Sequence, residues 1–292
     1  MDDLRRIALP TGVELDVAVA GDPASPPIIL LHGFPESHRT WRHIVPELAR
    51  DHFVLAPDQR GFARSSKPAG IESYSPDRIV ADLLALADHF ALPRFTLVGH
   101  DWGGAIAWMA ALQNPDRVGR LVIVNAPHPF GFQKTLFDDM AQREASQYIT
   151  AFRNPEFERH VDSIGLSAFF DGSFARHTDL ARIADEKPIY LEQWAQPGAL
   201  TAMLNWYRAS PIQVPAMDAT PERPAWLDGA FPPLRMPVLV IWGLGDAALL
   251  PSQLDGLDAL IPDLTVEKVD AGHFVPWENP AAILAAMAAW GA

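Results

Sequence analysis

One ten-residue stretch restricts the fold more than any other: Thr96-Leu-Val-Gly-His-Asp-Trp-Gly-Gly-Ala105. A short apolar run stops at Gly-His-Asp-Trp-Gly-Gly, and a helix-forming segment begins at once. Small residues beside a central side chain let a strand turn sharply into a helix, the G-x-Nu-x-G elbow: Gly99, His100, Asp101, Trp102, Gly103. The middle side chain then stands exposed on a strained turn. Most chains with this pattern carry serine there. This one carries Asp101, although an aspartate at that place also reads as a helix N-cap.

The segments around the elbow extend it into a repeating pattern. Residues 27–31, 52–57, 95–98, 121–124 and 236–242 are apolar runs, as expected of strands buried on both faces. Residues 15–20 alternate apolar and polar between Gly12 and Gly21, which predicts an antiparallel edge strand, and residues 264–269 predict the last strand. Helices are expected over 37–50 (interrupted by Pro46), from Ser75-Pro76 through Ile79, Leu83, Leu86 and Phe90, over 101–113, from about 252, and over 280–290. Strands alternating with helices imply right-handed βαβ units and a mostly parallel sheet flanked by helices.

The rhythm breaks after Asn125-Ala-Pro-His-Pro129. From 130 to 233 no buried-strand run occurs; aromatic residues and helical spacing dominate, and the Pro-rich stretch 220–233 reads as a return linker. The expected organisation is a core of residues 1–129 and 234–292, with 130–233 as an inserted helical cap.

Composition narrows the function classes. At 49% hydrophobic and 20% charged, the 292 residues suit a compact globular chain. A net charge of -13 disfavours nucleic acid or an anionic membrane surface. The absence of cysteine excludes disulfides, thiolate metal ligands and a cysteine nucleophile. The acidic start and the lack of a following apolar segment do not resemble a signal peptide, so a cytoplasmic location is expected. No His-x-x-x-His or carboxylate cluster has metal-ligand spacing, and no cofactor is expected.

Three side chains follow predicted strands of the same parallel sheet: Asp101, Asp246 and His273. In an open α/β sheet the carboxyl ends of the strands converge on a ligand. Asp246 could be an ordinary turn residue after Gly245, but the strand before it ends in Asn125-Ala-Pro, with no carboxylate to compete. Of ten histidines, His273 alone lies in the loop after the last strand. His32 and His100 flank the same site and are expected to brace loops. His128, near the start of the insertion, keeps both readings.

His32-Gly-Phe-Pro-Glu36, the Gly99–Gly104 elbow, Asn125-Ala-Pro-His-Pro129, Leu204-Asn-Trp-Tyr-Arg208, Asp246 and Gly272-His-Phe274 together resemble an epoxide hydrolase of the α/β-hydrolase superfamily. The likeness runs over nearly the whole chain. It implies the α/β-hydrolase fold, with Asp101 as nucleophile, His273 as base and Asp246 as its acid partner. It also implies an oxyanion hole from the backbone N–H groups of Phe34 and Trp102. The substrate would be a small apolar epoxide, with water as second reactant; the assembly leaves room for a homodimer.

A carboxylate attacks carbon without prior deprotonation, because it is already ionised near neutral pH. Opening an epoxide expels an alkoxide, a stronger base than halide, so a proton or strong hydrogen bond must be supplied. The family uses two cap tyrosines, or a histidine in place of one. Tyr207, in Asn-Trp-Tyr-Arg, matches the second; Tyr148 matches the first, with Tyr190 as its competitor. All three could instead be aromatic packing.

The elbow is shared with haloalkane dehalogenases. Some of these carry asparagine where this chain has Phe34, and Trp194 or Trp206 would have to supply the missing halide donor. Fluoroacetate dehalogenases resemble the chain too, but carry arginine where Trp102 stands. A ligand-sensing protein on the same fold is a third reading.

Overall fold

A computed structural model describes residues 4–229 and 231–291. The acidic start noted above, residues 1–3, lies outside them. Eight strands form one sheet: β1 (Leu4–Ala8), β2 (Glu14–Ala20), β3 (Pro27–Leu31), β4 (Phe53–Pro57), β5 (Phe95–His100), β6 (Val118–Val124), β7 (Val238–Gly243) and β8 (Leu264–Val269). Their order is β1-β2-β4-β3-β5-β6-β7-β8. β1, β2 and β4 pair antiparallel, and every pair from β4 to β8 is parallel.

The apolar runs are continuous because alternate side chains feed two different cores. Ile29, Leu55, Leu97 and Val240 pack on one face with the helices Pro76–His89 and Trp102–Gln113. Ile28, Val54, Val98 and Leu239 pack on the other with Trp41 and the helix Pro280–Trp290. Covered on both faces, the strands hold their register, and their carboxyl ends are fixed relative to one another.

Three expectations are corrected. Residues 15–20 are antiparallel but not at the edge, because β1 pairs outside them. That strand shows no apolar run: only Ile7 of its five residues is buried, and Arg6 reaches Glu14 and Asp16 instead. Residues 37–50 do not make one helix. They form a 3-10 turn, His38–Trp41, capped by the Ser37 hydroxyl, and a single α-turn, Val45–Leu48, with Pro46 in its first turn. The segment from 252 likewise divides, into Pro251–Leu254 and Leu257–Leu260, at Gly256 with φ +76°.

Between β6 and β7 the described residues contain helices and no strand, from Pro129–Asp138 through Leu166–Phe174 and Lys187–Trp194 to Ala199–Ala209. This insertion is pinned to the sheet's loops by polar contacts. Glu186 accepts from Arg39 and lies 3.4 Å from Arg42. The indole N–H groups of Trp194 and Trp206 donate to the carbonyls of Pro35 and Arg60, both at 3.0 Å. No helix among the described residues is long and apolar enough to cross a membrane.

Candidate active site

β5 ends in the elbow. Asp101 takes φ 50° and ψ −120° and opens the helix Trp102–Gln113, yet its side chain makes no capping bond to that helix. A non-glycine residue at positive φ stores about 1–3 kcal/mol of strain. The surroundings enforce it: a β-carbon at Gly99 would overlap the Gly103 carbonyl, and one at Gly103 would overlap that of Leu31. The carboxylate is thus turned away from its helix. Its Oδ1 accepts from the Phe34 N–H at 2.7 Å, and its Oδ2 lies 3.5 Å from His273 Nε2.

His273, in the loop after β8, binds Asp246 Oδ2 through Nδ1 at 2.7 Å. Asp246 is held in turn by the N–H groups of Ala248 and Leu249, at 2.8 and 2.9 Å on Oδ1, and by Asn125 Nδ2 at 2.7 Å on Oδ2. Asp101, His273 and Asp246 therefore form one chain of contacts across the ends of β5, β7 and β8. Burial pushes the Asp101 carboxyl up, but the hydrogen bond and charge of His273 and the Phe34 N–H hold it below the ordinary carboxylate range. Asp246 is held low by the same ring and by the Leu249 N–H, against the effect of burial. For His273 burial favours the neutral form, and two flanking carboxylates overcome it, raising the imidazole well above its usual value.

Trp102, first residue of the helix after Asp101, offers an N–H that has no intrahelical partner. The Phe34 N–H reaches the Asp101 carboxylate directly, and Trp102 is the next residue of the chain. Tyr207 and Tyr148 come from the insertion. Their ring centroids lie 6.1 Å apart; Tyr207 packs edge-on against Trp102 and Phe34, both at 5.0 Å. Burial raises both phenols, and the Asp101 charge adds to it, so both are protonated hydrogen-bond donors at neutral pH. Tyr190 is elsewhere: fully buried among Phe170, Phe174 and Trp277, it does not line the cavity.

Asp101, Tyr148 and Tyr207 stand between two spaces. The larger, about 800 Å³, is also lined by His273, Phe34 and several insertion aromatics. The smaller, about 130 Å³, lies against Trp102, Ile106, Met109, Phe132 and Leu249. Both walls are mainly apolar, as in small-molecule sites generally.

His32 and His100 are structural neighbours of this site. His32 Nε2 accepts from the Gln59 N–H at 3.1 Å, so Nδ1 carries the proton and donates to the Gly33 carbonyl. His100 spans Glu36 Oε2 and the His273 carbonyl, at 2.7 and 2.9 Å. His128 packs between Trp108 and Phe231, away from the cavity, and burial pushes it down to about 4. The indoles of Trp194 and Trp206, considered above as halide donors, are already committed to Pro35 and Arg60. No group of acidic, histidine or cysteine side chains suited to a metal occurs among the described residues.

Sequence reasoning passed over two supporting side chains. Asn125 looks like a missing acid, yet its amide bridges Asp246 and the Gly243 N–H; its place at a strand end was the available signal. Gln142, fully buried, donates to the Ala248 carbonyl and accepts from the Leu250 N–H, at 2.8 and 2.9 Å. It clamps the loop that holds Asp246. Nothing local marks it: apart from Ser146, whose hydroxyl accepts from its amide at 2.9 Å, the partners that give it this role lie more than a hundred residues away.

Residues 26–280 match the family described as alpha/beta hydrolase fold. An AB hydrolase superfamily protein of Bacillus subtilis is 34% identical over 93% of this chain and 92% of its own. Epoxide hydrolase A of Mycobacterium tuberculosis is 33% identical over 97% and 95%. A solved structure from work on novel epoxide hydrolases in metagenomes from hot environments superposes with a TM-score of 0.92. It shares 47% identity over 100% of this chain and 99% of that one. With an eight-stranded, mostly parallel sheet and helices on both faces, the chain belongs to the epoxide hydrolase family of the α/β-hydrolase superfamily.

Proposed function

We propose that the protein hydrolyses an epoxide to a vicinal diol through an ester on Asp101, beneath a cap formed by residues 130–233. The observation that carries this reading is one apolar cavity lined by Asp101, His273 and two protonated tyrosines. The related epoxide hydrolases named above support the reaction class.

In the first step an Asp101 oxygen attacks an epoxide carbon, and the ring C–O bond breaks. The departing oxygen takes a proton from Tyr207 or Tyr148, and His273 resupplies the tyrosine. Esterification removes the Asp101 charge, one of the two carboxylates that keep His273 protonated. The ring is thereby converted from a proton store into a base. In the second step His273 takes a proton from water, and the resulting hydroxide adds to the Asp101 acyl carbon. The N–H groups of Phe34 and Trp102 stabilise the oxyanion. Collapse breaks the acyl C–O bond, and the remaining hydroxide proton passes to the diol oxygen. Asp101 is regenerated with one oxygen from water.

Replacing His273 with Gln tests the scheme, because it removes the base and leaves the nucleophile. After incubation with styrene oxide, the intact mass should rise by that of the whole epoxide. Bromide release and an alkyl adduct from a bromoalkane, without reaction toward styrene oxide, would instead indicate a dehalogenase. No adduct from either reagent, with the fold intact, would favour a non-catalytic binding protein.

A further inference from the structure

The insertion brings one more imidazole to the triad. His177 follows the helix Leu166–Phe174, and its ring centroid lies 5.7 Å from that of His273 and 6.0 Å from that of Phe274. It lines the larger cavity together with Asp101 and His273. The approach is close: a β-carbon on Gly272 would overlap the His177 carbonyl oxygen, so this segment can settle on the His273 loop only because position 272 has no side chain. His177 Nδ1 is buried and has no hydrogen-bond partner among the described residues. Burial, and then the neighbouring His273 charge, push His177 down to about 4. Its ring is therefore neutral, with one N–H to donate and one nitrogen to accept.

We propose that His177 is a further residue of the hydrolytic half-reaction, sharing with His273 the water that attacks the Asp101 ester. This rests on the ester reading above. His273 has a carboxylate behind it and takes the proton. His177 has none hydrogen-bonded to it among the described residues, so it stays neutral and orients the water by a second hydrogen bond. The ring-opening step uses no water and has no need of it.

The test separates the two steps in a single turnover of styrene oxide, following ester formation and ester loss by quenched-flow intact mass. His177→Phe keeps the ring packing against Phe274 and removes both nitrogens. Ester loss should slow about tenfold, equivalent to roughly one hydrogen bond, while ester formation stays within about twofold and the ester accumulates. His177→Gln, which keeps a donor and an acceptor, should recover part of the rate. Ester loss at the wild-type rate in both variants, or equal slowing of both steps, would overturn the proposal. The two readings fail separately: no adduct on the His273→Gln protein removes the ester itself, whereas an adduct there with wild-type ester loss in the His177 variants removes only His177's part.

Discussion

The reactive side chains on the two sides of the cavity are held by different balances of force, although polar contacts pin the insertion as a whole. On the sheet side each reactive group has directed polar partners. Asp246 alone accepts from two backbone N–H groups, Asn125 and His273. On the insertion side Tyr207 and Tyr148 are set mainly by ring packing among Phe34, Trp102 and Phe152, edge-to-face or tilted at 5.0 to 6.1 Å, with one side-chain hydrogen bond from Trp102 to the Tyr207 phenol and one from Arg153 to its carbonyl at 2.8 Å. Hydrogen bonds fix orientation, which an attacking carboxylate and a base need. Aromatic packing, about 0.5–1.5 kcal/mol per pair, fixes position and leaves the phenol O–H free to donate. The sheet side is built for direction and the insertion side for placement.

Substitutions on the two sides should therefore fail differently. Asp101→Ala removes the proposed nucleophile and should lower turnover by roughly 10⁴–10⁶-fold with the fold intact, as read by diol formation and circular dichroism. Tyr207→Phe keeps the packing and deletes only the proton, so ring opening should slow by about 10²–10⁴-fold while loss of a preformed ester is unchanged. If Tyr207→Phe opened epoxides at the wild-type rate, the insertion would contribute shape alone. Gln142→Leu joins the two sides: it leaves the Ala248 carbonyl and the Leu250 N–H unpaired, at about 1–3 kcal/mol each. The expected outcome is a lower melting temperature with ester loss slowed more than ester formation, since the damaged loop holds Asp246.

The smallest effect concerns pH. His273 is raised in the folded protein, so it adds stability below its unfolded pKa of about 6.5, and that is lost as pH rises through the folded value. Asp101 and Asp246 are lowered, so their share is present above the ordinary carboxylate range and is lost as pH falls. The melting-temperature difference between wild type and His273→Gln should be largest between these limits and shrink on either side. A difference independent of pH would mean that the three groups do not share charge.

The legibility of the chain follows the same division. The elbow, the strand ends at Asp246 and His273, and the helices Pro76–His89 and Pro280–Trp290 could be read because their signals are local: small residues at a turn, apolar runs, Pro at a helix start. β1 could not, since an edge strand with one buried residue carries no pattern. Gln142 and His177 were also hidden. Each acquires its role from contacts across some hundred residues, and a glutamine in a short helix or a histidine in the turn after one looks like surface. Tyr148 and Tyr190 could not be separated by periodicity; only packing puts the first at the cavity and the second in the aromatic core.

The central claim is that Asp101, and not water, forms the bond to the epoxide carbon. One turnover in ¹⁸O-labelled water, with enzyme in excess over styrene oxide, tests it most directly. Attack by Asp101 followed by hydrolysis at its acyl carbon should yield diol free of ¹⁸O, with one ¹⁸O in the peptide containing Asp101. Labelled diol in that first turnover, with an unlabelled peptide, would contradict the account.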